Sequence, residues 1–271
     1  MLKNQDKIFH FYEKGDPAIV GIYPLCTGNP IERPYRHYYE ARTLEKYLPQ
    51  GNFSMLEIGC GAGRWAFEFA HRLTRYVGLD LSASQIAYAQ EKARKKGLKH
   101  LSFFSVSIED YILAKQNDGT QSGVKDQKFD VVYFSAMSPY LEDTVWLELL
   151  EKVKAFLNKK SLLVERTTTG VGKRIVYDQD DYYAVYRTDE EIVDILVRAG
   201  FGVPKITRSY PFLASSRFTR SRWFRYALNP LLCLNKKTVW ELMRRFLSVG
   251  EDCYILENGN LLDHKFFVCT L

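Results

Sequence analysis

Met55-Leu56-Glu57-Ile58-Gly59-Cys60-Gly61-Ala62-Gly63-Arg64-Trp65 is the stretch on which the fold of this chain turns. A short apolar run ends at an acidic residue and breaks into alternating glycines. Trp65, Ala66, Phe67, Phe69, Ala70 and Leu73 then follow at helix-compatible spacing. The pattern reads as strand, Gly-rich turn, helix. Each glycine lacks a Cβ, so the backbone can turn sharply and bring its N–H groups close to a ligand. The N-terminus of the next helix adds partial positive charge at the same place, which suits a carboxylate or phosphate. The stretch is therefore a pocket of nucleotide type.

Working outward, strand and helix patterns alternate. Phe53–Ile58 reads as a strand, Trp65 to about Leu73 as a helix, Arg75–Asp80 as a second strand and Ser82–Lys96 as a helix. That helix opens on a capping box of Ser82 and Gln85 and stops at Gly97. Leu101–Val106 is a third strand, Ile108–Ala114 a short helix and Lys115–Lys128 a polar loop. Phe129–Phe134, nearly all apolar, is a fourth strand buried on both faces. An amphipathic helix covers about Thr144–Leu157, and Ser161–Glu165 is a fifth strand. Thr188-Asp189-Glu190-Glu191 opens a further helix that Gly200 ends. Phe201 to about Ser209 and Lys265–Thr270 read as the sixth and seventh strands. The alternation predicts an α/β fold with a doubly wound sheet. Upstream, Arg36–Leu48 is helical, preceded by a Pro- and Gly-punctuated aromatic arm. Four regions follow: residues 1–50 as arm and helix, 51–212 as core, 213–250 as a basic helical cap, and 251–271 returning to the core.

Composition sets the bounds. The chain has 271 residues, 46% apolar and 26% charged, as expected of a globular protein with no membrane-spanning run. The N-terminus lacks the apolar core of a signal peptide, and the five scattered cysteines show neither a disulfide framework nor metal-ligand spacing. A reducing cytoplasm is the expected compartment, and no metal is expected. The net charge of +6 is unevenly spread. Residues 213–250 hold eight basic residues against Glu241 alone, so that segment carries +7 and the remainder −1.

Two cofactor readings compete at the glycine turn. Gly61-Ala62-Gly63-Arg64-Trp65-Ala66 satisfies the dinucleotide pattern G-x-G-x-x-A, with Asp80 at a suitable distance for ribose hydroxyls. The longer string Glu57-x-Gly59-x-Gly61-x-Gly63 resembles motif I of the class I S-adenosylmethionine (SAM) methyltransferases. Val77-Gly78-Leu79-Asp80-Leu81-Ser82 is similar to that family's second-strand end, and Phe129–Ser135 to its fourth-strand motif. Tyr140-Leu141-Glu142-Asp143 and Glu190–Phe201 continue the likeness, which covers about Arg36–Ser209 and the last strand. The resemblance implies SAM as cofactor and a seven-stranded, mostly parallel sheet whose last strand is antiparallel. It implies that Gly59, Gly61 and Gly63 face the methionine end and that Asp80 takes the ribose diol. Glu57 orients the turn or holds the ammonium group. Ser107 stands where the family usually has Asp at the adenine edge, so the Ile108 N–H is the alternative contact there. Ser135, ending the fourth strand, completes the expected cofactor set.

The acceptor is less legible. Methyl transfer from a sulfonium is an in-line displacement in which alignment matters most, and a hydroxyl acceptor also needs a base. Ser135-Ala136-Met137-Ser138-Pro139-Tyr140 lacks the Asn/Asp-Pro-Pro-aromatic motif of enzymes that methylate bases or amides. Candidate bases are Glu165, whose bland role is an ion pair with Arg166, and His10 and His37 of the arm and helix. Tyr140, Asp178, Asp180, Asp181, Tyr182 and Tyr183 belong to a region that in the family borders the acceptor pocket, or form a solvated loop. The basic segment interleaves Arg217, Arg220, Arg222 and Arg225 with Phe218, Trp223, Phe224 and Tyr226. It reads as a packed cap, as a patch for an anionic membrane surface, or as a site for an acidic substrate. No RNA-binding module is present, which disfavours nucleic acid. The expectation is a cytoplasmic methyltransferase acting on an oxygen of a small molecule or glycan, acidic or lipid-linked. The alternatives are a nucleic-acid or N-methyltransferase, and an inactive SAM-fold binding protein.

Overall fold

The computed structural model describes residues 32–117, 128–179, 182–210, 236–247, 255–257 and 260–271. Helix α1 (Glu32–Glu45) precedes β1 (Phe53–Ile58), α2 (Arg64–Glu68), β2 (Leu73–Asp80), α3 (Ala83–Lys95), β3 (Leu101–Ser105) and α4 (Ile108–Asn117). Then come β4 (Val131–Ser135), α5 (Asp143–Val153), β5 (Leu162–Gly170), the hairpin strands β6 (Ile175–Asp178) and β7 (Tyr183–Tyr186), α6 (Asp189–Arg198) and β8 (Lys205–Arg208). Helix α7 (Lys236–Leu247), β9 (Ile255–Glu257) and β10 (Asn260–Cys269) follow. The main sheet runs β3-β2-β1-β4-β5-β10-β8, with β9 paired to β10. Strands β1 to β5 are mutually parallel, and β10 lies antiparallel between β5 and β8. The doubly wound sheet with its antiparallel last strand is the expected one, enlarged by β9 and the separate β6–β7 hairpin.

Both faces of this sheet are buried, and β4 shows how the sequence achieves it. Val131 and Tyr133 join the core under α1, α2 and α3, while Val132 and Phe134 join the core under α4, α5 and α6. Side chains alternate along a strand, so a strand covered on both faces must be apolar at every position. Trp65 and Trp146, each fully buried, anchor the two layers, and burial of such side chains stabilises by roughly 1.5–3 kcal/mol apiece.

Several element bounds differ from the sequence reading for identifiable reasons. The helix after the glycine turn stops at Glu68, not near Leu73, because Leu73 begins β2 and pairs with Phe53. Strand β4 starts two residues late, since the Phe129 N–H bonds to the Phe156 carbonyl and Asp130 accepts from Ser54. Strands β5 and β10 are both longer than expected. They pair antiparallel from Leu163–Cys269 to Gly170–Leu262, beyond the point where β4 ends. The Tyr- and Asp-rich stretch is a hairpin. At Thr188 both capping-box bonds form. At Ser82 the side chain accepts from Gln85, but Asp80 takes the Ser82 N–H. Helix α1 starts at Glu32, with Pro34 tolerated in its first turn. The arm, the run Arg217–Tyr226 and most of the loop before Lys128 lie outside the described residues. No helix among the described residues is long and apolar enough to cross a membrane.

Candidate active site

The carboxyl ends of β1 to β5 meet one edge of the sheet, where ligands bind in open α/β folds. At the end of β1, Gly59, Gly61 and Gly63 have φ of 78°, 52° and 75°. These left-handed values cost a residue with a Cβ about 1–2 kcal/mol each. At Gly63 a Cβ would also come within 2.7 Å of the Phe103 ring. Asp80, at the end of β2, ties the turn to the next helix: the Gly61 N–H donates to its Oδ2 at 2.7 Å and the Ser82 N–H to its Oδ1 at 2.9 Å. Leu81, next to it, is exposed, an apolar surface at the rim that sequence reasoning passed over.

Glu57 lies beneath the turn and is fully buried. The Tyr76 hydroxyl donates to its Oε2 at 2.5 Å. Burial pushes its carboxyl up to about 8, against the pull of Tyr76 and Ser135. Gly78 makes room for the pair, because a Cβ there would meet Cys60 Sγ and the Tyr76 ring at 2.8 Å. Past the end of β3, the Ser107 hydroxyl accepts from the Asp110 N–H at 3.0 Å and donates to its carboxylate at 2.9 Å. Ser107 thus caps α4, and Ile108 is the first residue of that helix. After Ser135 the chain passes through Ala136 at φ 59°, a non-glycine residue in the left-handed region. Its N–H donates to the Arg166 carbonyl at 2.9 Å.

The candidate bases are not brought together. Glu165 is not at the end of its strand but midway along β5, fully buried, and accepts from the Ser138 hydroxyl at 2.5 Å. Burial pushes its carboxyl up to about 8, so it holds its proton at neutral pH. The ion pair with Arg166, the bland alternative to a base role, does not form, because consecutive strand residues face opposite sides of the sheet. His37 Nε2 lies 2.8 Å from Glu68 on α2. His10, Asp180 and Asp181 fall outside the described residues.

Arg166 instead joins a cluster that sequence reasoning missed. Its Nη2 and Nε donate to Glu40 Oε1 at 2.7 and 3.2 Å. Arg64, following the last glycine, donates to Glu40 Oε2 at 2.7 Å, and Arg36 Nε lies 3.5 Å from Oε1. Burial alone would raise the Glu40 carboxyl, but the arginines hold it well below the usual range. On the far side of Glu165, Arg187 is buried and donates to the Ser138 and Leu141 carbonyls at 2.9 and 2.6 Å and to Asp143 at 2.7 Å. It pins the turn after β4. Tyr140 and Tyr182 pack edge to face, which brings the β6–β7 hairpin over that turn.

Residues 49–197 match the methyltransferase domain. The chain belongs to the methyltransferase-domain family. The ubiquinone biosynthesis O-methyltransferase of Pasteurella multocida is 27% identical over 89 residues, covering 33% of this chain and 36% of that protein. The chain therefore matches about a third of that relative's length. A SAM-dependent methyltransferase from Leishmania major superposes with TM-score 0.62 at 13% identity, covering 98% and 82% of the two chains. The geranyl diphosphate C-methyltransferase of Streptomyces coelicolor gives 0.56 at 14% identity, covering 99% and 97%. At these identities the structures share the fold. The SAM-dependent class I methyltransferase reading is met at the level of family and fold, and the dinucleotide reading falls away.

Proposed function

We propose that this methyltransferase transfers a methyl group to an oxygen of a small-molecule acceptor. The observation that carries the reading is the turn itself. Left-handed glycines fold back beside Asp80, whose two oxygens each accept a backbone N–H, one from the turn itself and one from the start of the next helix. When bound there, SAM supplies a methyl group made electrophilic by a sulfonium. The Gly59–Gly63 backbone receives the amino-acid end and Asp80 the diol, with Glu57 and Tyr76 supporting the turn from beneath. The Ile108 N–H and the exposed face of Leu81 receive the adenine, while the Ser107 side chain serves the cap of α4. Ser135 and the strained Ala136 border the reacting end.

Oxygen as the acceptor atom is supported by the O-methyltransferase relative and by the absence from 135–140 of the amide-Pro-Pro signature. The chain's own contribution is alignment, the largest share of rate available to a displacement of this kind. Glu165 serves as a base only once its proton is gone, so a role for it requires activity that rises through about pH 8. Incubation of the protein with methyl-labelled SAM and fractionated cell extract tests the reading. Label is expected in a small, acid-stable and base-stable product. Label confined to RNA or protein would contradict it.

A further inference from the structure

We propose that Arg187 is a positioning residue for methyl transfer: it clamps the turn after β4 and so holds Ser135 and Ala136 in fixed register with the glycine turn. The inference rests on the reading above, in which those two residues border the reacting end, and adds a residue that no motif or spacing singles out. Contact between the two turns comes first. A Cβ at Gly59 would lie 3.4 Å from Met137 Cβ and 3.5 Å from the Ser135 carbonyl oxygen, so the turn after β4 lies directly against the glycine turn. Between those two contacts the chain passes through Ala136 at φ 59°. A left-handed non-glycine residue costs energy and persists only where its surroundings over-determine it. One constraint is the Ala136 N–H bond to the Arg166 carbonyl, at the near end of the turn. Arg187 supplies the constraint at the far end.

Its guanidinium spans that end. Nη1 donates to the Ser138 carbonyl at 2.9 Å and Nη2 to the Leu141 carbonyl at 2.6 Å, while Nε donates to Asp143, the first residue of α5, at 2.7 Å. The Ser138 carbonyl also accepts the Leu141 N–H at 3.2 Å, and the Ser138 hydroxyl donates to Glu165, so the middle of the turn is tied on both sides. The clamp itself has a fixed base. The Gly170 N–H, at the end of β5, donates to the Arg187 carbonyl at 2.9 Å, and Thr188 beside it closes the capping box of α6. The guanidinium carbon lies 5.0 Å from the ring centre of fully buried Trp146. A buried cation is a poor source of stability, because an apolar side chain of similar volume often serves as well. What a guanidinium adds is a rigid planar set of donors that meets several acceptors at once, which a lysine ammonium does not reproduce. That rigidity matters here, since a misplacement of about 1 Å can cost on the order of a hundredfold in rate.

The test compares two variants of the full chain. Arg187→Lys keeps the charge and loses the fork, whereas Arg174→Met removes the other arginine on Asp143 and leaves both carbonyl bonds in place. Methyl transfer is measured with labelled SAM and the extract fraction that accepts label from the wild type. Rates are expressed per S-adenosylhomocysteine-binding site, so that unfolded protein does not count. Arg187→Lys is expected to lose about tenfold or more in kcat with KM for SAM changed by less than about twofold, and Arg174→Met to stay within about twofold of the wild type. In the S-adenosylhomocysteine complex of Arg187→Lys, hydrogen exchange should quicken at the Ala136, Tyr140 and Leu141 amides, each bonded to a backbone carbonyl in or beside the turn, and stay unchanged in β1 to β3. A kcat per site equal to the wild type's, or an equal loss in both variants, would overturn the proposal. So would unchanged exchange at those amides, a readout that needs no acceptor. If the wild type labels no small molecule, the acceptor reading falls, and the exchange result alone then decides whether Arg187 holds the turn.

Discussion

Glu165 and Arg166 are neighbours on β5, yet they open onto two regions of opposite electrostatic character. On the α1 side, Arg166, Arg64 and Arg36 hold buried Glu40 ionised, with its carboxyl well below the ordinary range. On the α5–α6 side, buried Glu165 accepts from the Ser138 hydroxyl, and burial carries it up to about 8. Both carboxyls are fully excluded from water. What separates them is the number of cations in contact, and desolvation wins only where none arrives. One face of the strand is therefore built to concentrate positive charge beside the glycine turn. The other packs a neutral acid under the turn that follows β4.

The contrast can be broken from either side. Glu40→Ala leaves guanidiniums buried around a lost partner and is expected to destabilise the fold by about 3–5 kcal/mol, read as a fall in urea midpoint. A loss near zero would mean the arginines do not depend on Glu40. Ser138→Ala removes the hydroxyl that bonds Glu165 and is expected to cost about 1–3 kcal/mol. Because that hydroxyl favours the ionised carboxylate, the variant should shift the Glu165 titration further upward, which isotope-edited infrared can follow.

Glu165→Gln sharpens the comparison through its pH dependence. The folded chain keeps the Glu165 proton up to about pH 8, whereas the unfolded carboxyl loses it near 4.5. The folded state thus binds the extra proton between those values, and wild-type stability falls as pH rises through that window. Glutamine mimics the neutral acid, so the variant should gain on the wild type by about 1.4 kcal/mol at most for each pH unit climbed inside that window. Parallel stability curves would contradict the buried neutral acid. Glu40 runs the other way: its stabilisation is present above 4.5 and is lost only as pH falls through its lowered folded value.

The difference between the two regions also explains what the sequence disclosed. The glycine turn, Asp80 and the apolar β4 are local patterns in which each residue's neighbours lie within a few positions, so they were legible. The cluster around Glu40 was not, because its members come from α1, α2 and β5, with Arg166 126 positions from Glu40. Arg64 beside Gly63 was the available signal. Pairing Arg166 with Glu165, the bland alternative for that acid, let adjacency in sequence stand in for adjacency in space, and strand alternation forbids it. The long β5–β10 ribbon escaped notice for a related reason. Where an antiparallel ribbon ends depends on both strands, and each taken alone looked shorter. The β6–β7 hairpin hid behind polar side chains that pack through tyrosine rings.

That the turn beside Asp80 is a SAM site is tested most directly by equilibrium binding of S-adenosylhomocysteine to wild type and Asp80→Ala. The wild type should bind S-adenosylhomocysteine and show no affinity for NADH. The variant, which loses the carboxylate proposed for the diol and the bond to Gly61, should bind at least tenfold more weakly, about 1.4 kcal/mol. Equal binding by the two proteins, or binding of NADH in place of S-adenosylhomocysteine, would contradict it.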